Sequence, residues 1–144
     1  LGFDLQHLSP VIGTEVLGID LGRPLGSEII EFLQELLVER KVIFFRKQTI
    51  SLAQHIEFAR RFGDLEVHPF TPNDASYPEL IHLDTGPGKP PYINIWHSDV
   101  TWRQCPSLGS ILRAREVPER SEGTPCSPIW KPLTMPCPKR LRPA

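Results

Sequence analysis

The segment "NIWHSDVTW", Asn94–Trp102, sets a histidine and an aspartate two residues apart in an apolar, aromatic frame. In an extended strand, side chains at i and i+2 leave the same face, so His97 and Asp99 are expected to point together and Ser98 away. One imidazole nitrogen and one carboxylate oxygen then form two adjacent corners of a coordination sphere. A distant second histidine completes the two-histidine, one-carboxylate face that holds iron(II) and leaves positions open for oxygen and a co-substrate. Ile95, Trp96 and Val100 would keep water from such a centre. The triplet alone also has a plainer reading: a histidine closing a strand and an aspartate opening a turn.

Working back toward the start of the chain, "IGTEVLGIDL" (Ile12–Leu21) is short, β-branched and bounded by glycines, which predicts a strand followed by a turn at Gly22–Pro24. Ser27 is placed to cap a helix whose apolar face is Ile29, Ile30, Leu33, Leu36 and Leu37. "KVIFFR" (Lys41–Arg46) reads as a buried strand. Ser51 then precedes a second helix, with Leu52, Ile56 and Ala59 inward and Gly63 as its stop. His68–Pro78 reads as a loop, and "ELIHLD" (Glu79–Asp84) as a strand. "TGPGKPP" is a further loop, "IWHSD" a strand end, and "SLGSILRARE" (Ser107–Glu116) a last strand. The pattern predicts an α+β or mainly β domain rather than a parallel α/β sheet, because few gaps between strands suit crossover helices.

The totals agree with a single folded domain. The chain has 144 residues, 40% of them hydrophobic, and a formal charge of −1, so no basic field is present to draw nucleic acid or an anionic membrane. No apolar run reaches spanning length, and the first ten residues lack signal-peptide character; a cytoplasmic location is the expectation. Cys105, Cys126 and Cys137 form no C-x-x-C pair and are expected to be reduced thiols.

Six collinear pieces carry a more specific signal: "GIDLGRPL", "KVIFFRKQ" with Ile50, "FARRFGDLEVHPF", "LDT", "WHSDVTW", and Pro106 with "LGSILRAREVP". In this order, from Leu17 to Glu119, the chain resembles the TauD/TfdA family of iron(II)- and 2-oxoglutarate-dependent dioxygenases. The resemblance implies a double-stranded β-helix (jelly roll), incomplete here, with two N-terminal helices. It implies iron(II) held by His97 and Asp99, with 2-oxoglutarate as co-substrate. It also implies that His68 contacts the acidic head group of a small organic substrate, with Val100 and Trp102 lining the same pocket. Thr71 and Ile93 stand where taurine-specific members carry a tyrosine and an asparagine, which points to another acid: a larger sulfonate, a sulfate ester or an aryloxy acid. The implied reaction uses O2 to decarboxylate 2-oxoglutarate to succinate and hydroxylates the carbon beside the sulfur or ether group. The parent enzyme is expected to be a homo-oligomer.

The family's remaining site elements are a "GGDT" segment, a distal second histidine and an arginine for the co-substrate. None is present: no histidine follows His97, and no 2-oxoglutarate anchor is found. Residues 1–119 therefore read as the first part of the dioxygenase domain. Residues 120–144 hold six of the chain's 16 prolines and lack periodicity, so they read as a disordered tail. Reading each codon from the third base of one residue and the first two of the next, Trp130–Lys131 gives glutamate and Met135–Pro136 gives alanine. The other steps permit "VGGDTLFANMEAAYDALPE" from Arg120, so out-of-frame translation is the expected origin of the tail. By itself such a chain is expected to be inactive. The competing readings are a non-catalytic fragment pairing with full-length subunits, and a small metal-binding module built on His68, His97 and Asp99.

Overall fold

The computed structural model describes residues 2–70, 73–84, 100 and 103–116, and the chain divides into two compact units, 1–90 and 91–144. In the first unit the elements run β1 (Asp4–His7), β2 (Thr14–Leu17), α1 (Ser27–Arg40), β3 (Ile43–Phe44) and α2 (Leu52–Arg60). The sheet order is β1-β2-β3. β1 and β2 are antiparallel, with Leu5 opposite Val16, whereas β2 and β3 are parallel, with Thr14 opposite Ile43. The sheet is thus mixed, and α1 is a crossover between parallel neighbours. A mixed sheet of this kind is compatible with the expected α+β class, and the stretch from Gly18 to Val42 supplies its one crossover helix.

β1 and β2 meet through a turn that needs Gly13. Its φ is +84°, and a Cβ there would lie 3.6 Å from both Leu8 and Phe44. Behind the turn lies the buried guanidinium of Arg40. Its Nε donates to Thr14 Oγ1 (3.0 Å), Nη1 to Pro10 O (3.2 Å) and Nη2 to Ser9 O (2.6 Å). The carbonyl groups of a loop, rather than a carboxylate, satisfy this cation, and they pin the end of α1 to the β1–β2 connection.

α1 forms where the apolar spacing predicts it. Ile30, Leu33 and Leu36 are buried, and Leu33 is fully enclosed. Its N-cap is Gly26, with Ser27 already helical and no side-chain cap bond, so the expected Ser27 cap does not form. Val16, Leu21, Ile50 and Phe58 complete the core, with Phe3, Phe32, Phe45 and Phe62 packed around it. The aromatic contacts are tilted or edge-on: Phe3–Phe32 at 5.4 Å, Phe45–Phe58 at 5.8 Å and Phe58–Phe62 at 5.2 Å between centroids.

α2 begins with a full capping box. The Ser51 hydroxyl accepts from Gln54 N, and the Gln54 side chain accepts from Ser51 N. Its buried residues are His55, Ile56 and Phe58, while Leu52 and Ala59 are half-buried. The inward face is therefore rotated from the expected one. Gln54 Nε2 also donates to Gly22 O at 2.9 Å, joining the start of α2 to the turn before α1.

Three strand expectations change. "KVIFFR" yields only the two residues of β3, and Lys41 (φ 65°) and Lys47 (φ 57°) take left-handed backbone before and after that segment. "ELIHLD" forms one isolated bridge, Asn73↔Ile81. Ser107–Glu116 shows no strand; Leu108 and Leu112 are exposed at 63% and 72%. A strand without a ladder partner leaves its backbone to water. Cys105 is disulfide-bonded, against the expectation of three free thiols. "IWHSD" and residues 120–144 lie outside the described residues.

Candidate functional site

His68 follows α2 in an extended connection, half-buried between Val67 and Pro69. Its Nδ1 accepts from Phe70 N at 3.4 Å, and its ring meets Phe70 edge-on at 6.1 Å and 77°. An accepting Nδ1 places the proton of the neutral imidazole on Nε2. The backbone carbonyl of His68 accepts from Asn73 Nδ2 at 3.3 Å. His68 is thus held at both its ring and its peptide.

The residues from Asn73 to His82 fold back on themselves. Asp74 N donates to Leu80 O at 3.0 Å and Leu80 N to Tyr77 O at 2.9 Å. The Asp74 carboxylate accepts from Ser76 N (2.8 Å) and Tyr77 N (3.0 Å), and pairs with His82 Nε2 at 2.8 Å. The last of these bonds is the largest cause of a lowered Asp74 pKa, followed by the two backbone amides. As the pair is partly exposed, it anchors the turn geometrically and carries no large stability term. Arg60 Nη2 reaches Glu79 Oε1 at 3.2 Å and ties the turn to the end of α2.

The sign of the Asp74 shift fixes its acid response. A carboxyl with a lowered folded-state pKa adds stability above its ordinary range and loses it as pH falls through the lowered value. The backbone amide signals of Ser76 and Tyr77 should therefore stay at their folded positions through the ordinary carboxylate range and move only below it. Movement at or above that range would contradict the pairing.

Val100 lies in the second unit, in a turn closed by Arg103 N donating to Val100 O at 3.1 Å. Its φ of 56° is left-handed backbone, costly for a β-branched residue. The proposed iron ligands His97 and Asp99, the lining residue Trp102, and also Thr71 and Ile93, lie outside the described residues. Among the described residues no group of three or more His, Cys, Asp or Glu is placed to hold a metal ion. No described helix is long and apolar enough to cross a membrane. The test of the iron site is consequently the chemistry of its donor set, one imidazole and one carboxylate at i, i+2, which fits two positions of a mixed nitrogen–oxygen site.

Sequence reading singled out His68 but not the residues that hold it. The turn chemistry of Asn73, Asp74 and Ser76 was visible as loop composition. The pairing of Asp74 with His82, eight residues on, depends on a backbone register that composition does not encode.

The small mixed sheet with its crossover helix, and a histidine fixed in the connection after α2, are the ordered framework on which the motif order can be compared with known proteins. A family model described as taurine catabolism dioxygenase TauD, TfdA family, matches residues 4–126, and the chain belongs to that family. It is 35% identical over 121 residues to an alkylsulfatase of Acinetobacter baylyi, covering 83% of this chain and 38% of that protein. It is 36% identical over 131 residues to the alpha-ketoglutarate-dependent sulfate ester dioxygenase of Pseudomonas putida, covering 90% and 42%. A crystal structure of a taurine dioxygenase from Burkholderia xenovorans aligns with a TM-score of 0.51 at 30% identity, over 54% of this chain and 28% of that one. The chain thus spans about two fifths of the length of these curated relatives.

Proposed function

We propose that the whole protein is an iron(II)- and 2-oxoglutarate-dependent dioxygenase acting on a small sulfate ester, with sulfonates and aryloxy acids as the neighbouring substrate classes. The observation that carries this reading is the family match over residues 4–126 together with the His97–Asp99 spacing inside it. Two similar proteins named for sulfate ester chemistry support the choice of substrate, as does Thr71 in place of a tyrosine. His97 and Asp99 would hold the iron, which, with 2-oxoglutarate and O2, supplies the oxidising chemistry. His68 donates from Nε2 to an anionic oxygen of the substrate. Val100 and Trp102 shape the apolar wall around its carbon chain, and that wall excludes water from the reacting carbon.

The wider reading includes a jelly-roll domain of which residues 1–119 form part, a cytoplasmic homo-oligomer, and residues 120–144 as out-of-frame translation. Two donors without a second histidine bind iron(II) weakly, so the 144 residues alone are proposed to be inactive. The test is turnover. A protein carrying the complete domain, supplied with iron(II), 2-oxoglutarate, O2 and a medium-chain alkyl sulfate, should form succinate and release sulfate in equal amounts, while the 144-residue chain should form neither. Substrate-independent absence of succinate from the complete protein would end the reading.

A further inference from the structure

The mixed sheet has two edges, and they are unlike. β3 is only two residues long and runs on into Arg46 and Lys47, the short, cationic kind of edge that discourages pairing. β1 is exposed along its whole length and carries no lysine, proline or bulge.

Two bonds fix which backbone groups of β1 are left over. Leu8 N donates to Gly13 O, and Thr14 N donates to Val42 O on the β3 side. Opposed residues of an antiparallel pair alternate between those that bond each other and those that turn their peptide groups outward. His7 lies opposite Thr14, and Leu5 opposite Val16. Both therefore present N–H and C=O away from β2. The His7 ring does not shield them, since its Nδ1 is drawn to Thr14 Oγ1 at 2.9 Å.

A second copy of the chain fits these groups best in one register. Coplanar antiparallel pairing needs a two-fold axis normal to the sheet, which keeps like faces together. Opposed residues are then an even number apart, so one residue of β1 sits on the axis. With Leu5 there, the two leucines exchange both N–H···O bonds and pack side chain to side chain. On the other face Asp4 meets the partner's Gln6, and Gln6 meets the partner's Asp4. Neither side chain has a hydrogen bond or ion pair among the described residues, and each carboxylate gains an amide donor. With Gln6 on the axis instead, Asp4 would face the partner's Leu8 and gain none.

We propose that β1 is the self-association edge of this chain: two copies pair antiparallel through Asp4–His7, with Leu5 on the two-fold axis and Asp4 bonded to the partner's Gln6. The two three-stranded sheets become one continuous sheet. This gives the proposed homo-oligomer a specific surface and uses none of the iron chemistry. A contact built on one short strand is small, so dimerisation depends on concentration.

Sedimentation velocity of the 144-residue chain across the micromolar range should show a monomer–dimer equilibrium. Over the same range, amide exchange at Leu5 and His7 should slow as concentration rises, while Gln6, bonded to β2, should exchange slowly throughout. Leu5→Lys at this exposed position sets like charges opposite each other and should weaken dimerisation by about tenfold or more. Leu5→Glu should do the same, and Val11→Lys, in the exposed β1–β2 turn, should not. An equimolar mixture of the Leu5→Lys and Leu5→Glu chains should dimerise again, because only a residue on the axis meets its own counterpart. A monomer at every concentration overturns the proposal. So does a dimer indifferent to Leu5→Lys, or a mixture that stays monomeric. The exchange data on the unsubstituted chain decide the matter even if a charged variant fails to fold. None of these readouts involves turnover, so their failure leaves the dioxygenase reading untouched.

Discussion

Replacing Asp99 with alanine in a protein that carries the complete domain is expected to abolish succinate formation, by more than about a hundredfold. Outer partners of metal ligands already cost about 10–100-fold in metal affinity or activity, and Asp99 is proposed as a direct ligand. Its carboxylate contributes charge as well as geometry. Without it the iron(II) site keeps only imidazole donors from the protein, and excess 2-oxoglutarate cannot replace a facial position held by the chain. His97→Ala should be equally damaging. Ser98→Ala should retain activity, because in a strand the intervening residue leaves the opposite face. The measurement is succinate yield at saturating iron(II), with metal content determined on the same samples. Full activity in Asp99→Ala would show that the H-x-D triplet is a strand end and a turn, as its plainer reading has it.

Leu33→Ala is expected to be the most damaging single change to the fold. Leu33 is fully buried on α1, in a cluster with Val16, Leu21, Ile30, Leu36, Ile50 and Phe58. Truncating a buried leucine costs about 2–5 kcal/mol, the transfer of its methyl groups plus the cavity left behind. Small domains have only about 5–15 kcal/mol in total, so the loss should lower Tm by at least about 10 °C. Val38→Ala on the same helix, 64% exposed, should change it little. Thermal unfolding followed by far-ultraviolet circular dichroism compares the two. Equal stability of Leu33→Ala and the parent chain would mean that α1 does not pack as described.

The two helices were legible because their signals are local: a repeat of Ile30, Leu33 and Leu36 in one, and Ser51 before an apolar repeat with Gly63 after it in the other. Strand lengths were not. β3 stops after Phe44, and left-handed backbone occurs at Lys41, at the end of α1, and at Lys47. These are positions where glycine is the usual signal, so lysine gave no warning. β1 was missed altogether; all four of its residues are exposed, and it exists by pairing with β2 rather than by its own pattern. The parallel β2–β3 pair likewise depends on a long-range pairing across α1 that no local pattern announces.

For the site, single residues were legible and their supports were not. His68 stood out beside Pro69 within a motif. The contributions of Asn73, Asp74 and His82 arise from a turn whose long-range partner no local pattern announces. The strained backbone of Val100, next to the proposed ligand Asp99, was equally invisible, because a β-branched valine just past an expected strand end carries no signal of positive φ.

At the centre of the account is the proposal that the site is divided between these residues and a continuation encoded in another frame. The DNA spanning the codons for Val117–Ala144, with roughly 500 bases beyond, three bases to each residue of a remaining domain of ordinary size, tests it most directly. The account predicts that a one- or two-base correction opens a frame through "GGDT" to a distal histidine and an arginine. A confirmed printed frame with no such continuation would contradict it, leaving His97 and Asp99 without the third ligand on which the proposed chemistry depends.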